Sequence, residues 1–139
     1  MQLFVAAKGA VHFQGKILLI RESTSYVDGS GAGKWDMVGG RIEETETVHE
    51  GLVREVLEES GLNVAPGELL GVFDGFPTIK GEKSHVVRLY FLCAASNDKV
   101  ILSEDHDEYR WVDPRSYTDL VFMNDIEEML KEVADRLDK

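Results

Sequence analysis

Apolar and polar positions along this chain follow two periods, and each period predicts a different kind of element. Short apolar stretches bounded by glycine, proline or polar clusters predict strands. They cover residues 3–8, 11–13, 16–20, 35–38, 68–76 and 108–112. A longer stretch at 84–95 is apolar on both faces beyond Arg88. We therefore expect this last strand at the centre of a sheet that is covered on both sides.

Two segments follow the 3.6-residue period of an amphipathic helix. Residues 47–60 begin with the spacing of a capping box, Thr47 and Glu50, and end before Gly61, which suits the left-handed position after a helix. A second helix is predicted at 124–137. Its apolar stripe consists of Ile126, Met129, Leu130, Val133 and Leu137. The order of strands and helices predicts an α/β or α+β fold with helices packed on a mixed sheet.

Length and composition fit one globular domain over residues 1–139. Hydrophobic residues make up 43% and charged residues 29%, near the averages of globular proteins. The 26 Asp and Glu outnumber the 15 Lys and Arg, which gives a formal net charge of −11. We therefore expect no nucleic-acid binding, because that needs a basic face. A phosphate compound remains an available ligand where a cation mediates the contact.

Since no targeting segment is visible in the sequence, we expect a cytoplasmic protein. The single cysteine, Cys93, excludes an intrachain disulfide and fits a reducing compartment. The apolar stretch at the N-terminus is too short for a signal peptide and has no basic segment before it. No stretch reaches the roughly 18 apolar residues of a membrane span, so we expect no membrane contact.

The helix at 47–60 carries an unusual cluster of acids. Its apolar arc is formed by Leu52, Val53, Val56 and Leu57. Glu55, Glu58 and Glu59 share another arc, and such like charges repel, although Arg54 offsets part of the repulsion. A solvated acidic face is the ordinary explanation. A divalent-cation site is the alternative, since Mg²⁺ is commonly held by a few carboxylates and substrate phosphate. Gly51 is expected to leave this face open.

The residues around the helix extend the acids into a spaced motif that resembles the Nudix box, G-x5-E-x7-R-E-U-x-E-E-x-G-U, where U is aliphatic. The motif covers residues 40–62. Every defined position matches: Gly40, Glu46, Arg54, Glu55, Val56, Glu58, Glu59, Gly61 and Leu62. Family members often have Trp-x-x-Pro-Gly-Gly before it, and here Val38 replaces the proline between Trp35 and Gly39.

The resemblance to the Nudix hydrolases, MutT-like and single-domain, implies both a fold and an activity. The fold would be an α/β/α sandwich with the mixed sheet between helices and the box as loop-helix-loop. The activity would be hydrolysis of a nucleoside diphosphate linked to a moiety X, with Mg²⁺ or alternatively Mn²⁺ as cofactor. A nucleoside triphosphate is the first choice of substrate. ADP-ribose or an NDP-sugar is the alternative, as is a catalytically inactive nucleotide-binding domain.

The resemblance also assigns roles by position. Glu55, Glu58 and Glu59 match the family's metal ligands, and a carbonyl of Gly39 or Gly40 would complete the set. Three further box residues, Glu46, Arg54 and Gly61, would be structural; the first two would brace loop and helix by an ion pair.

Several residues are candidates for the general base. In the family, a glutamate shortly before a Trp-Val strand often has this role or binds metal. Glu104, Asp105 and Glu108 occupy that region here. Glu104 is preferred and Asp105 comes second. A base from within the box would be Glu58 or Glu59.

Moiety X would be recognised outside the box, mainly by the loops at 21–34 and 74–83. Arg88 could face a phosphate, although an ion pair with an acidic segment is the preferred explanation. Phe76 could stack on a base or pack at a strand end. Pro77 lies where a proline is associated with ADP-ribose hydrolases. The expected partner is a small nucleotide, and a homodimer is an open alternative.

The bracing role gives a first prediction. We expect Arg54→Ala to lower the melting temperature, because the variant removes the ion pair that the resemblance implies. Thermal unfolding measures the effect, and an unchanged melting temperature would count against the brace.

Overall fold

The computed structural model describes residues 1–23 and 32–138. Within these residues, eight strands and two helices follow one another. They are β1 (Gln2–Phe13), β2 (Lys16–Glu22), β3 (Trp35–Asp36), β4 (Val38–Arg41), α1 (Val48–Ser60), β5 (Val64–Gly75), β6 (Thr78–Ile79), β7 (Glu82–Ala95), β8 (His106–Val112) and α2 (Ile126–Leu137). No helix in these described ranges has the length and apolar character needed to cross a bilayer.

The sheet is mixed, as the sequence predicts. Its main order is β3-β2-β1-β7-β5, with β4 paired to β1, β6 to β7 and β8 to β2. Strands β1 and β7 run parallel from Gln2 opposite Ser84 to His12 opposite Ala94, whereas the other pairs are antiparallel. The prediction of two short strands at 3–8 and 11–13 was wrong, because β7 supplies backbone partners along the whole of β1.

The helices cover opposite faces of this sheet. Along β2, Ile17 and Leu19 belong to the core that contains α2 residues, whereas Leu18 and Ile20 belong to the core that contains α1 residues. Alternate residues of a strand point to opposite faces, so each face has its own helix. The expected α/β/α sandwich is confirmed, and β7 lies inside the sheet as predicted.

Both ends of α1 form as the sequence predicts. Thr47 Oγ1 accepts a hydrogen bond from the Glu50 N–H at 3.1 Å, and the Glu50 carboxylate accepts one from the Thr47 N–H at 2.9 Å. Gly61 adopts φ 73° and donates to the Leu57 carbonyl. These caps fix where the helix begins and ends, and hence where its acids lie.

Two expectations about the faces of α1 were wrong. Leu57, assigned to the apolar arc, is 45% exposed. Gly51 is buried rather than open, because a Cβ there would lie 2.4 Å from Ile42 Cγ2 and 3.1 Å from a Glu46 carboxylate oxygen. The loop before α1 therefore packs directly on this glycine.

Gly51→Ala should destabilise the fold even though alanine favours helices. We expect a net loss of about 1–3 kcal/mol in the free energy of unfolding, because the new methyl group meets the branched end of Ile42. Urea unfolding measures this loss. In an Ile42→Ala background the same change should be neutral or stabilising, and an equal loss in both backgrounds would argue against this contact.

Candidate active site

Arg54 and Glu46 join the loop before α1 to the helix itself. Arg54 Nε and Nη2 donate to the two carboxylate oxygens of Glu46 at 2.6 and 2.8 Å. This two-bond contact, together with the Glu43 N–H, lowers the pKa of Glu46 to about 2. The structure thus contains the ion pair that the resemblance implies, in the strong bidentate form.

The same guanidinium reaches the acidic face of α1. Arg54 Nη1 donates to Glu55 at 3.1 Å and to Glu58 at 3.2 Å, while Nη2 also donates to the Arg41 carbonyl at 3.2 Å. One cation therefore screens two of the three clustered carboxylates. Glu58 is exposed and Glu55 is half-buried.

Glu59 points into the angle between α1 and β4, where it is half-buried. Its Oε1 accepts a hydrogen bond from the Gly39 N–H at 2.7 Å. Burial raises the pKa of Glu59 to about 7, although Lys8 and the Gly39 N–H oppose the rise. Gly39 has φ 137°, and a Cβ there would lie 2.2 Å from the Ala7 carbonyl oxygen. This close approach therefore requires glycine.

Gly40 makes room for the second acid of the cluster. A Cβ at this position would lie 2.6 Å from Glu55 Oε2, so the carboxylate rests directly on the glycine backbone. Burial raises the pKa of Glu55, against the effect of Arg54. Gly39, through its N–H, and Gly40, through its missing side chain, are thus in contact with two of the helix carboxylates.

These residues have the donor chemistry of a magnesium site, since carboxylate and carbonyl oxygens are what Mg²⁺ binds. The carboxylates of Glu55, Glu58 and Glu59 do not converge on one point in the structure. Within residues 1–23 and 32–138, no three His, Cys, Asp or Glu side chains are gathered as a metal ion would need. The physical reason is that Arg54 holds Glu55 and Glu58, while Glu59 is held by Gly39. A shared cation would have to displace Arg54 Nη1 from Glu55 and Glu58.

A charged pair that was not predicted from the sequence lies next to Glu59. Lys8 Nζ lies 2.9 Å from Asp36, and its side chain is only 13% exposed. Burial works against this charge, but Asp36 and Glu59 raise the pKa of Lys8. The sequence did contain a signal for Lys8, because this residue interrupts an apolar strand just as Arg88 does.

The acidic segment before β8 lies beside the C-terminal end of α1. The Ser103 N–H donates to the Glu59 carbonyl at 3.2 Å, and the Ser23 N–H donates to the Asp105 carbonyl. Glu104 and Asp105 are exposed in the turn that follows. Glu108 instead forms ion pairs: Arg21 is at 3.3 Å and Arg110 at 3.4 Å. Of the three candidates for the base, Glu108 is thus already paired.

Arg88 forms an ion pair, as preferred, but with a partner the sequence did not indicate. Its Nε lies 2.7 Å from Asp125, which also accepts a 3.3 Å hydrogen bond from the Tyr90 hydroxyl. Arg88 and Tyr90 line a cavity of about 110 Å³. The full lining is Lys8, Asp36, Arg88, Tyr90, Met123 and Asn124.

Phe76 is not brought to this cavity. It is 64% exposed, and its ring stacks on His85 with 4.6 Å between centroids. His85 lies 2.6 Å from Asp74. In the loop expected to contact moiety X at 21–34, residues 24–31 lie outside the described part of the chain.

Comparison with known proteins identifies the family to which this fold and this set of residues belong. A family model described as the NUDIX domain matches residues 4–133. The chain belongs to the Nudix family. A crystal structure of a MutT protein from Methanosarcina mazei has a TM-score of 0.78 to this Nudix chain at 27% identity, and the match covers 99% of this chain and 96% of that one.

Curated relatives divide among several names. A "MutT-like protein" of Streptomyces ambofaciens is 33% identical over 75% of this Nudix chain, and an "ADP-ribose pyrophosphatase" of Methanocaldococcus jannaschii is 30% identical over 92%. A "Nucleoside triphosphatase NudI" of Klebsiella pneumoniae is 31% identical over 58%. The chain spans 59%, 71% and 62% of these relatives' lengths, respectively.

The environment of Glu59 predicts a pH dependence of stability in metal-free protein. Its pKa of about 7 exceeds the ordinary 4.5, so the folded state favours the protonated carboxyl. The stability that this protonation contributes is complete below about pH 4.5 and is lost as pH rises through 7. Relative to Glu59→Gln, wild type should lose on the order of 1–3 kcal/mol between about pH 5 and pH 8. Urea unfolding in a chelator measures this difference.

The control for this experiment is Glu128→Gln, the same substitution on the exposed side of α2. This variant should follow wild type at both pH values. A Glu59→Gln profile parallel to wild type would show that the Glu59 carboxyl does not titrate as its burial implies.

Proposed function

We propose that this chain hydrolyses a diphosphate linkage in a nucleoside diphosphate linked to moiety X, with Mg²⁺ as cofactor and a nucleoside triphosphate as substrate. The observation that carries the proposal is the placement of Glu55 and Glu59 against the Gly39-Gly40 backbone, with Glu58 beside them. A solvated acidic face would not need a glycine at position 40 to admit the Glu55 carboxylate.

Glu55, Glu58 and Glu59 are the proposed metal ligands, together with a carbonyl of Gly39 or Gly40. Mg²⁺, or Mn²⁺ in its place, would neutralise diphosphate oxygens and acidify a water. The protein's own part is to keep the acids close together: Arg54 screens Glu55 and Glu58, while Glu46 anchors Arg54 to the loop.

The proposed proton acceptor is Glu104, with Asp105 second. Both lie in an exposed turn that Ser103 attaches to the end of α1, next to Glu59. Glu108 is less suitable because Arg21 and Arg110 lie close to its carboxylate. A box glutamate, Glu58 or Glu59, is the alternative base.

A nucleoside triphosphate is preferred as substrate, and ADP-ribose or an NDP-sugar is the second candidate. The names of the relatives support both, since one is a nucleoside triphosphatase and another an ADP-ribose pyrophosphatase. A catalytically inactive binding domain is disfavoured by the intact box glutamates. A single domain over residues 1–139 and a cytoplasmic location remain predictions. A homodimer remains an open alternative.

The test is product release from nucleoside triphosphates, ADP-ribose and NDP-sugars, with and without Mg²⁺. We expect hydrolysis of one class that disappears without metal. Glu58→Gln and Glu59→Gln should each lower turnover by about 10²-fold or more, because a ligand carboxylate is lost. Their melting temperatures should equal or exceed that of wild type, since repulsion between acids is relieved.

The matched control is Glu128→Gln, which should keep full turnover. Glu104→Gln and Asp105→Asn, compared over a pH series, separate the two candidates for the base. Full turnover in both Glu58→Gln and Glu59→Gln would remove these residues from the metal site. No hydrolysis of any compound, with metal still bound, would favour the binding-domain alternative.

A further inference from the structure

The cavity of about 110 Å³ between the sheet and the segment before α2 adjoins the candidate metal site. Lys8, which lines it, pairs in the sheet with Gly39, and the Gly39 N–H donates to Glu59. Lys8 lowers and Asp36 raises the pKa of Glu59, so both charges lie close to that carboxyl. A compound whose diphosphate is held at the helix carboxylates would therefore have its remaining part next to this cavity.

The segment before α2 forms one wall of the cavity and has an unusual backbone conformation. Asp125 occupies the N-cap position of α2 with φ 72°, yet its side chain makes no capping hydrogen bond. Its carboxylate instead accepts from Arg88 at 2.7 Å and from the Tyr90 hydroxyl at 3.3 Å. A positive φ at a non-glycine residue and an unused cap both cost stability. The contacts with β7 offset these costs and hold Met123 and Asn124 in the lining.

The polar groups of the cavity have donors to offer rather than acceptors. One carboxylate oxygen of Asp36 accepts from the Met37 N–H at 2.7 Å, and the other accepts from Lys8 at 2.9 Å. An ammonium has three donors and a guanidinium has five. In the described part of the chain, Lys8 and Arg88 are each paired with one aspartate. Further N–H groups of both cations therefore remain for a ligand that carries carbonyl oxygens.

The volume of the cavity limits the size of the ring that can enter it. A cavity of about 150 Å³ holds a benzene ring, so one of about 110 Å³ that opens to solvent holds at most a single six-membered ring. Asn124 at its rim is exposed, which leaves the entrance open. The inner wall does not widen easily, because Tyr90 is 1% exposed and bonded to Asp125.

We propose that this cavity binds the base of the substrate and selects pyrimidine nucleoside triphosphates over purine ones. This inference rests on the proposed function. A pyrimidine is a single six-membered ring with a carbonyl at O2, which suits the remaining donors of Lys8 and Arg88. A purine adds a fused second ring, and adenine presents no carbonyl. ADP-ribose contains adenine, so the same cavity disfavours the second candidate substrate.

The first test is calorimetric titration with nucleoside monophosphates in the presence of Mg²⁺. These compounds keep the base and one phosphate but have no diphosphate linkage to hydrolyse. Uridine and cytidine monophosphates should bind about 10-fold or more tightly than adenosine and guanosine monophosphates, because the second ring does not fit. Equal binding of the two classes, tighter binding of the purines, or absence of binding by all four compounds would overturn the inference.

Two substitutions of Met123 change the size of the cavity in opposite directions without changing a charge. Met123→Ala should enlarge the cavity and tighten the binding of purine monophosphates, so that the preference for pyrimidines falls by about 10-fold. Met123→Phe should fill the cavity and weaken the binding of all four compounds. A wild-type preference and wild-type affinities in both variants would show that the base binds elsewhere.

Met129→Ala is the matched control. It truncates the same kind of side chain in the core under α2, outside the cavity lining. It should lower the melting temperature and leave the preference for pyrimidines unchanged. Circular dichroism and melting temperature check that each variant keeps the wild-type fold. If the Met123 variants fail this check, the preference of wild type between the two classes of monophosphate still decides.

Kinetics test the same selectivity during turnover. The kcat/KM values of wild type for uridine and cytidine triphosphates should exceed those for adenosine and guanosine triphosphates by about 10-fold or more. Met123→Ala should reduce this ratio, whereas Met129→Ala should not. A ratio near one in wild type, or the same ratio in Met123→Ala and Met129→Ala, would count against selection of the base by this cavity.

The failures of this inference and of the proposed function are distinguishable. Wild type that binds pyrimidine monophosphates selectively, yet hydrolyses no nucleoside triphosphate, contradicts the proposed function and supports the base site. Wild type that hydrolyses purine and pyrimidine nucleoside triphosphates equally well supports the proposed function and overturns the inference.

Discussion

The candidate site depends on one guanidinium, that of Arg54. Its Nε and Nη2 face Glu46, and Nη1 faces Glu55 and Glu58. This division of donors has a consequence for metal binding. A cation that took Glu55 and Glu58 would displace only the Nη1 contacts and leave both bonds to Glu46 intact. The brace between loop and helix can therefore persist whether the acids face Arg54 or a metal ion.

The second constraint is the absence of a side chain at three glycines that neighbouring elements approach closely. Gly39 lies against the Ala7 carbonyl, Gly40 lies under Glu55, and Gly51 lies under Ile42. Each contact joins a different pair of elements: β4 with β1, β4 with α1, and α1 with its preceding loop. A methyl group at any of the three would separate elements whose approach positions the carboxylates. The acids are thus arranged by backbone proximity as much as by their own bonds.

The features of the site that were predicted correctly from the sequence are local ones. The capping box of α1, its terminal glycine and the spacing of its acids depend on residues within a few positions of one another, and all are present. The Lys8 contact with Asp36 spans 28 residues and the Arg88 contact with Asp125 spans 37. Such pairs depend on strand register, which periodicity does not supply. The expectation that Gly51 leaves an open face was wrong for the same reason, because the packing of the preceding loop against Gly51 is a tertiary contact.

The pairing of Lys8 and Arg88 limits what these two cations can contribute to binding a phosphate compound. Lys8 and Arg88 are each matched by an aspartate, so neither adds net positive charge to the cavity they line. Breaking either pair to reach a phosphate would leave a partly buried carboxylate without its partner, which is costly. Under the proposed function, neutralisation of the phosphates is therefore left to a cation held at the helix carboxylates.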